Sequence, residues 1–404
     1  MSDVRTKTDW PSIIILFVAG VVASMQMGRT IAIPGQLMDA LGLSLTALGW
    51  AFSMITAAAA AGGLIAGAAL QRFGIRRTII VGLVWIGIAA ALGSVAPTGG
   101  WMLAARALEG VGYLAVVVAA PTLMPLLAAP ARRAAVMAVW AIFVPVGILL
   151  ASVLGGALAA DLGWRGWFQI NAMIVLVMAV WVAWWPPLTA ASAVGASHRP
   201  RPSFSLRSLA PAFAVRPLAL TLGFMAAVVV GLSANALMPA FLAERFGFAD
   251  ERIGGLMAAL PIGSMLGSVL LGAWVATARS LWPVSVLAGI TALACLTLFV
   301  VEAGPTMAIV SGMGVMAGHG ALVAVGFALI PQVAHTPSQL AAINGSIVQF
   351  GSLGNFLGPP LTGAIGDAAG WPAVGVCLAM VTLGVVVGFG LVRSNRRPES
   401  AGMV

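Results

Sequence analysis

Long apolar runs recur from one end of the chain to the other, each closed by a short break carrying Gly, Pro, Arg or Asp. A helix needs about 20 apolar residues to cross the hydrocarbon layer of a bilayer. Runs meeting that standard fall at residues 11–34, 47–70, 78–96, 101–127, 134–160 and 167–185. A second set follows at 217–242, 253–277, 282–301, 306–330, 339–364 and 372–392. The break between the ninth and tenth runs rests on Glu302, Gly304 and Pro305 alone. The pattern predicts an all-α integral membrane protein with twelve transmembrane helices. Residues 186–216 form the longest break, rich in Pro, Ser, Ala and Arg, and read as a solvated linker. It separates a six-helix bundle over 1–185 from a second over 217–404, which ends in a polar tail.

Composition agrees. Only 8% of the 404 residues are charged and 61% are hydrophobic, whereas a soluble domain carries roughly 25% charged residues. The surface itself must therefore face lipid. The formal charge of +9 does not imply nucleic acid, because the basic residues sit in short loops instead of on one exposed face. Their distribution is a topology signal. Arg5, Lys7, Arg72, Arg76, Arg77, Arg132, Arg133, Arg199, Arg201, Arg207, Arg216, Arg279, Arg393, Arg396 and Arg397 fall on one side, against Arg165, Arg245 and Arg252 on the other. The rule that Lys and Arg stay inside then places both termini in the cytoplasm. Lys7 is the sole lysine, and the arginine bias with abundant Ala and Gly fits a GC-rich bacterial genome, hence a bacterial inner membrane. Cys295 and Cys377 lie within apolar runs and are expected as free thiols. The first run is too long for a signal-peptide core and is expected to be a retained helix.

The two sets of helices also match each other. Adding 205 to a position carries Pro34 to Pro239, Gly42 to Gly247, Gly49 to Gly254, Gly62 to Gly267 and Gly67 to Gly272. Asp161-Leu-Gly-Trp164 is echoed by Asp367-Ala-Ala-Gly-Trp371. An internal repeat of this kind in a membrane protein points to a transporter with its site between the halves.

Four motifs sit at fixed places in this frame. After the second helix comes Gly67-Ala-Ala-Leu-Gln71-Arg72-Phe-Gly74-Ile75-Arg76-Arg77, and the fourth helix carries Arg106-Ala-Leu-Glu109-Gly110-Val-Gly112. The fifth carries Gly147-Ile-Leu-Leu-Ala151-Ser152-Val-Leu-Gly155-Gly156, followed by Gly163-Trp164-Arg165-Gly-Trp167-Phe168. Together they resemble the signatures of the major facilitator superfamily (MFS): G-x-x-x-D-R-x-G-R-R, R-x-x-[QE]-G-x-G and the antiporter motif G-x-x-x-G-P-x-x-G-G. Helices one to four look most similar to the cyanate and nitroimidazole transporter relatives. The resemblance implies the MFS fold, and it implies gating by Gln71, Arg72, Gly74, Arg76 and Arg77. Gln71 stands where the family usually has Asp, which implies a weaker cytoplasmic latch. Ala151-Ser152 in place of Gly-Pro counts against an antiporter.

A charge near the bilayer centre costs on the order of 3 kcal/mol, so each one asks for a reason. Arg29, Arg106 and Glu109 are the three in question. Arg106 and Glu109, spaced i, i+3, can neutralise each other as a packing pair or serve as a protonatable centre, with Tyr113 one turn on. Arg29 has no such local partner. Gln26 and Thr30 share a polar face that Arg29 joins, so it can bind a solute carboxylate, snorkel to the interface, or pair with a group elsewhere. The repeat sets Ala234 opposite Arg29, with Asn235 adjacent, leaving one cation in the expected site. His319, between Gly318 and Gly320, is a packing residue or a proton carrier. Asn344, Gln349, Ser352 and Asn355 on the eleventh helix can line a cavity or join helices.

These residues predict a secondary transporter of a small organic or inorganic anion, working by alternating access, with protons as the coupling ion. Substrate contacts are expected from Arg29, Gln26, Thr30, Tyr113, Asn235, His319, Gln349 and Asn355, and proton coupling from Arg106, Glu109 and His319. The alternative is a drug/proton antiporter exporting apolar or cationic compounds. No enzyme constellation, metal cluster or cofactor motif is visible. The expected partners are a small solute and the bilayer, with the chain a monomer.

Overall fold

A computed structural model describes residues 8–62, 74–129, 132, 136, 139–140, 142–186, 213–272, 282–301, 304–333 and 337–394. These residues build helices joined by short turns. In chain order they are α1 (Trp10–Gly28), α2 (Pro34–Leu41), α3 (Leu45–Ser53), α4 (Ile75–Ser94), α5 (Gly99–Leu123) and α6 (Phe143–Trp184). The second half contributes α7 (Val215–Phe246), α8 (Asp250–Leu266), α9 (Trp282–Phe299), α10 (Gly304–Val333) and α11 (Pro337–Ser394). A 3₁₀ turn at Met54–Thr56 carries α3 on toward Gly62.

Among the described residues, ten segments are long and apolar enough to cross a membrane. Two of them are double. α6 breaks at Gly163 (φ 64°) and α11 at Gly370 (φ 75°), conformations that a side chain with Cβ rarely adopts. Twelve crossings result, in two six-helix bundles, and the two ends of the described chain lie on the same face. The glycine breaks fall within the Asp-to-Trp stretches that echo each other in the sequence. The narrow break expected at Glu302–Pro305 is real: α9 ends at Phe299 and α10 starts at Gly304. One boundary differs. The first apolar run does not continue as helix to Pro34; α1 ends at Gly28, and Pro34 opens the separate helix α2, a position where its missing N–H costs nothing. The linker expected over 186–216 lies largely outside the described residues.

The outer faces are apolar. On α4, Val81, Trp85, Ile88 and Leu92 are 64%, 44%, 51% and 41% exposed, at spacings that put them on one stripe of the helix. Val286, Ile290 and Leu293 make the same stripe on α9. In water such stripes would be a liability; in a bilayer they are the solvent-matched surface.

The halves meet at the face remote from the chain ends, where α3 lies along α11 and α8 along the first crossing of α6. Here the repeat becomes geometry. A Cβ on Gly49 would sit 2.6 Å from the Pro359 carbonyl group, and one on Gly254 2.7 Å from Gly156 Cα and the Ser152 oxygen. Both glycines therefore let backbone approach backbone across the seam. Gly49→Ala and Gly254→Ala should each keep helical content but prise this face apart. Overpacking of this kind costs about 1–3 kcal/mol, so maleimide labelling of a cysteine at Leu45, which packs on Gly366 of α11, should speed up by about tenfold. Labelling at the parent rate would show that the seam is not set by these two glycines.

Candidate functional site

The three intramembrane charges converge on one point inside the first bundle. Arg29, Arg106 and Glu109 are each 0% exposed. Arg29 donates from Nη2 to Glu109 Oε1, and Arg106 Nη1 lies 2.5 Å from Glu109 Oε2. One carboxylate is thus shared by two guanidinium groups, and the cluster keeps a net charge of one positive unit. Of the readings open for Arg29, the pair with a distant group is the one the structure shows, and snorkelling is overturned because the side chain is enclosed. Its partner lies 80 residues away in sequence.

Both arginines are held by further partners. Arg29 occupies the C-cap of α1, where the helix gives way to turn. Its Nη1 donates to Gln26 Oε1 at 2.7 Å, and Phe168 lies under the guanidinium with 4.0 Å to the ring centroid. Trp167 Nε1 donates to the Arg29 carbonyl at 3.1 Å. Arg106 reaches across to α3, donating from Nε to the Ala51 carbonyl at 2.7 Å and from Nη2 to that of Phe52 at 3.4 Å. Those carbonyls lie just before the 3₁₀ turn, where the regular helical ladder changes register. The glycines of Arg106–Gly112 make this approach possible. A Cβ on Gly110 would lie 2.6 Å from the Ile55 oxygen of that turn, and one on Gly112 2.4 Å from the Gly82 oxygen of α4. Arginine and glutamate supply the charges, and the glycines bring α5 close enough to use them.

A family model described as Major Facilitator Superfamily matches residues 14–352. The chain belongs to that superfamily. A 3-(3-hydroxy-phenyl)propionate transporter of Escherichia coli (strain K12) is 29% identical over 359 residues, spanning 85% of this chain and 84% of the relative. The puromycin resistance protein of Streptomyces alboniger is 32% identical over 42% of this chain and 33% of its own length. Among solved structures, a bacterial homologue of the human lysosomal transporter Spinster superposes with a TM-score of 0.74 at 17% identity, covering 96% of this chain and 95% of that one. The nucleoside transporter NupG gives 0.73 at 13% identity, covering 94% and 98%. The relatives and the fold are those of MFS transporters, which are not enzymes.

Around the cluster, the MFS core places the other expected residues unevenly. Gln26 touches Arg29, and its Nε2 donates to the Val22 carbonyl at 3.3 Å. Thr30 Oγ1 bonds back to Met27 at 3.3 Å, and Tyr113 is buried on α5. Asn171 of α6, which the sequence did not single out, is buried, and among the described residues its Oδ1 has no partner, nor has Arg29 Nε. In the second bundle, Asn235 and Asn355 are buried and their Oδ1 atoms find no donor among the described residues. Gln349 donates to the Ala60 carbonyl of the first bundle, so this side chain bridges the halves. His319 Nδ1 lies 2.9 Å from the Ala227 oxygen, its ring against Gly231 of α7, an arrangement of helix packing.

Of the expected gating residues, Gln71 and Arg72 lie outside the described residues. Gly74 caps the start of α4 with φ 78°. Arg76 donates to the carbonyls of Ala183 and Trp185 at the end of α6, at 2.9 and 2.5 Å, and Arg77 is exposed. Arg76 therefore caps a helix C-terminus of its own bundle, where a cation is favoured. The degenerate fifth-helix motif is also a packing device: Gly147 faces Ser24 of α1 and Gly156 faces Gly254 of α8. The structure shows a groove of about 350 Å³ between Val18 and Val22 of α1 and Ile174 and Trp181 of α6. It is apolar and away from the charges.

Charge counting predicts an asymmetry in stability. Glu109→Gln leaves two enclosed guanidinium groups without a counter-charge and should cost about 3–5 kcal/mol. Arg29→Met leaves a neutral Arg106–Glu109 pair and should cost far less. Thermal unfolding in detergent compares them, and equal losses would contradict the shared-carboxylate picture.

Proposed function

We propose that the chain is a secondary active transporter of a small organic monoanion, working by alternating access, with Arg29 as the group that receives the solute's carboxylate. The observation that carries this is the net charge of the buried cluster: two guanidinium groups on one carboxylate. A solute carboxylate can supply Arg29 with the counter-charge that Glu109 otherwise divides between two guanidinium groups. The planar fork of Arg suits a carboxylate, and its unused Nε offers a further donor. Phe168 beside Arg29 favours a solute with an apolar body. The E. coli relative, whose name specifies an aryl-substituted propionate, supports an aromatic monocarboxylate as the substrate class.

Proton coupling belongs to the same proposal. Glu109 is the carboxylate that has to leave Arg29 when the solute's carboxylate takes its place. A proton arriving on Glu109 would release it, so one proton and one anion would move together without net charge transfer. His319, held against α7, is left to packing in this reading. The excess of Lys and Arg on one side supports cytoplasmic termini, a bacterial inner-membrane location, and a cytoplasmic gating role for the loop from Gln71 to Arg77. The second reading, a drug exporter, is favoured by the match to the puromycin resistance protein. The net positive cluster argues against a cationic cargo.

In proteoliposomes, uptake of labelled 3-(3-hydroxyphenyl)propionate should be abolished in Arg29→Ala and partly retained in Arg29→Lys. Unchanged uptake in Arg29→Ala would sink the anion-site assignment. Glu109→Gln should lose accumulation driven by a pH gradient while keeping exchange of internal for external anion. Resistance to puromycin on overexpression, with no anion uptake by the purified protein, would instead establish the exporter reading.

A further inference from the structure

The seam between the halves carries two acids that neither the motif loops nor the cluster explains. Asp250, at the start of α8, accepts from the backbone N–H of Gly35 at Oδ1 (3.3 Å) and of Gln36 at Oδ2 (3.2 Å). Those amides open α2, in the opposite half. Asp367, just before the glycine break of α11, accepts from the N–H of Leu45 at Oδ1 and of Thr46 at Oδ2, both 2.9 Å. Thr46 Oγ1 adds a third bond to Oδ2 at 2.5 Å. These amides open α3, again in the opposite half. In each case one carboxylate spans two successive amides at the positive end of a helix, where unpaired N–H groups and the helix dipole favour an anion.

We propose that Asp250 and Asp367 form a double latch that holds the two halves shut at the face remote from the chain ends. Opening this face separates α2 and α3 from α8 and α11, so both carboxylates must give up their amide pairs in the same movement. The bonds are charge-assisted. Partial burial pushes the Asp367 carboxyl up, but the bonds from Thr46, Leu45 and Ser44 outweigh it and hold it below its ordinary value. The latch is also one-sided. Asp161 occupies the place in the first half that Asp367 occupies in the second, yet among the described residues it accepts no hydrogen bond from the other half. The helix start it would cap, that of α8, already carries Asp250 and Glu251. Both latch acids therefore come from the second half and both receiving helices from the first.

The test uses the full-length protein in nanodiscs, with Cys295 and Cys377 replaced by alanine and spin labels on cysteines at the exposed positions Ala40 and Glu244. Pulsed electron–electron distance measurements then report closure of this face. Asp250→Asn combined with Asp367→Asn should raise the ratio of long to short distances by about tenfold or more, since hydrogen bonds to charged groups are the strong ones. Each single variant should give a smaller rise in the same direction. Thr46→Val, which removes only the hydroxyl bond, should give the smallest. Asp161→Asn should leave the distribution as in the parent. A double variant with the parent distribution overturns the latch, and so does an equal shift in Asp161→Asn. Should the double variant not fold, the graded order of the single variants and Thr46→Val decides the matter, and a flat order overturns it.

Discussion

One carboxylate shared between two enclosed arginines organises the first bundle. Burying ionised groups in hydrocarbon is tolerable only where each finds a counter-charge and its remaining protons find acceptors. Glu109 has a single charge to offer and two claimants. The rest of the arrangement follows from that shortage. Arg106 makes up the deficit with backbone carbonyls of α3, and Arg29 with the Gln26 amide and the face of Phe168. α1 ends at Arg29, α3 tightens into a 3₁₀ turn beside Arg106, and α5 carries glycines where it crosses both α3 and α4. The unmatched positive charge is what the proposed anionic solute would answer at Arg29.

Backbone and chemistry obey different symmetries. The backbone repeats faithfully: Gly42 and Gly247 end helices in left-handed conformation, and Gly163 and Gly370 break the paired crossings. Gly49 and Gly254 meet the opposite half in equivalent ways. The polar groups do not repeat. Ala234 stands opposite Arg29, and the second bundle holds buried amides and hydroxyls where the first holds ions. The seam acids invert this bias, coming from the second half alone. A symmetric scaffold thus presents a different chemical character on each side of the pseudo-axis that relates its halves.

The scaffold was legible in the sequence because its determinants are local. Twenty-residue apolar runs, glycine breaks and the 205-residue repeat all survive as a linear pattern, and even the narrow break before Gly304 was placed correctly. The end of α1 was missed because apolarity says nothing about where a helix gives way to turn before proline. The Arg29–Glu109 pair was missed because 80 residues separate the partners, and only packing of α1 on α5 brings them together. A signal was present nonetheless: two intramembrane arginines and one intramembrane carboxylate leave little choice of partner. Asp367 shows in the sequence only within the stretch that echoes Asp161, and nothing there marks it or Asp250 as a contact across the seam. Their partners are backbone amides, which every residue but proline possesses, so Asp250 and Asp367 looked like ordinary loop carboxylates.

The glycine seam has a bearing on energy economy. Where Gly49 meets Pro359 and Gly254 meets Gly156, no side chain intervenes and the main chains pack in direct contact. Such a joint leaves no room for a file of water molecules at either contact, so each narrows the path that hydronium or a small ion would need through the closed face. In a transporter of the proposed kind, such joints would slow the leak of ions through the closed face between cycles.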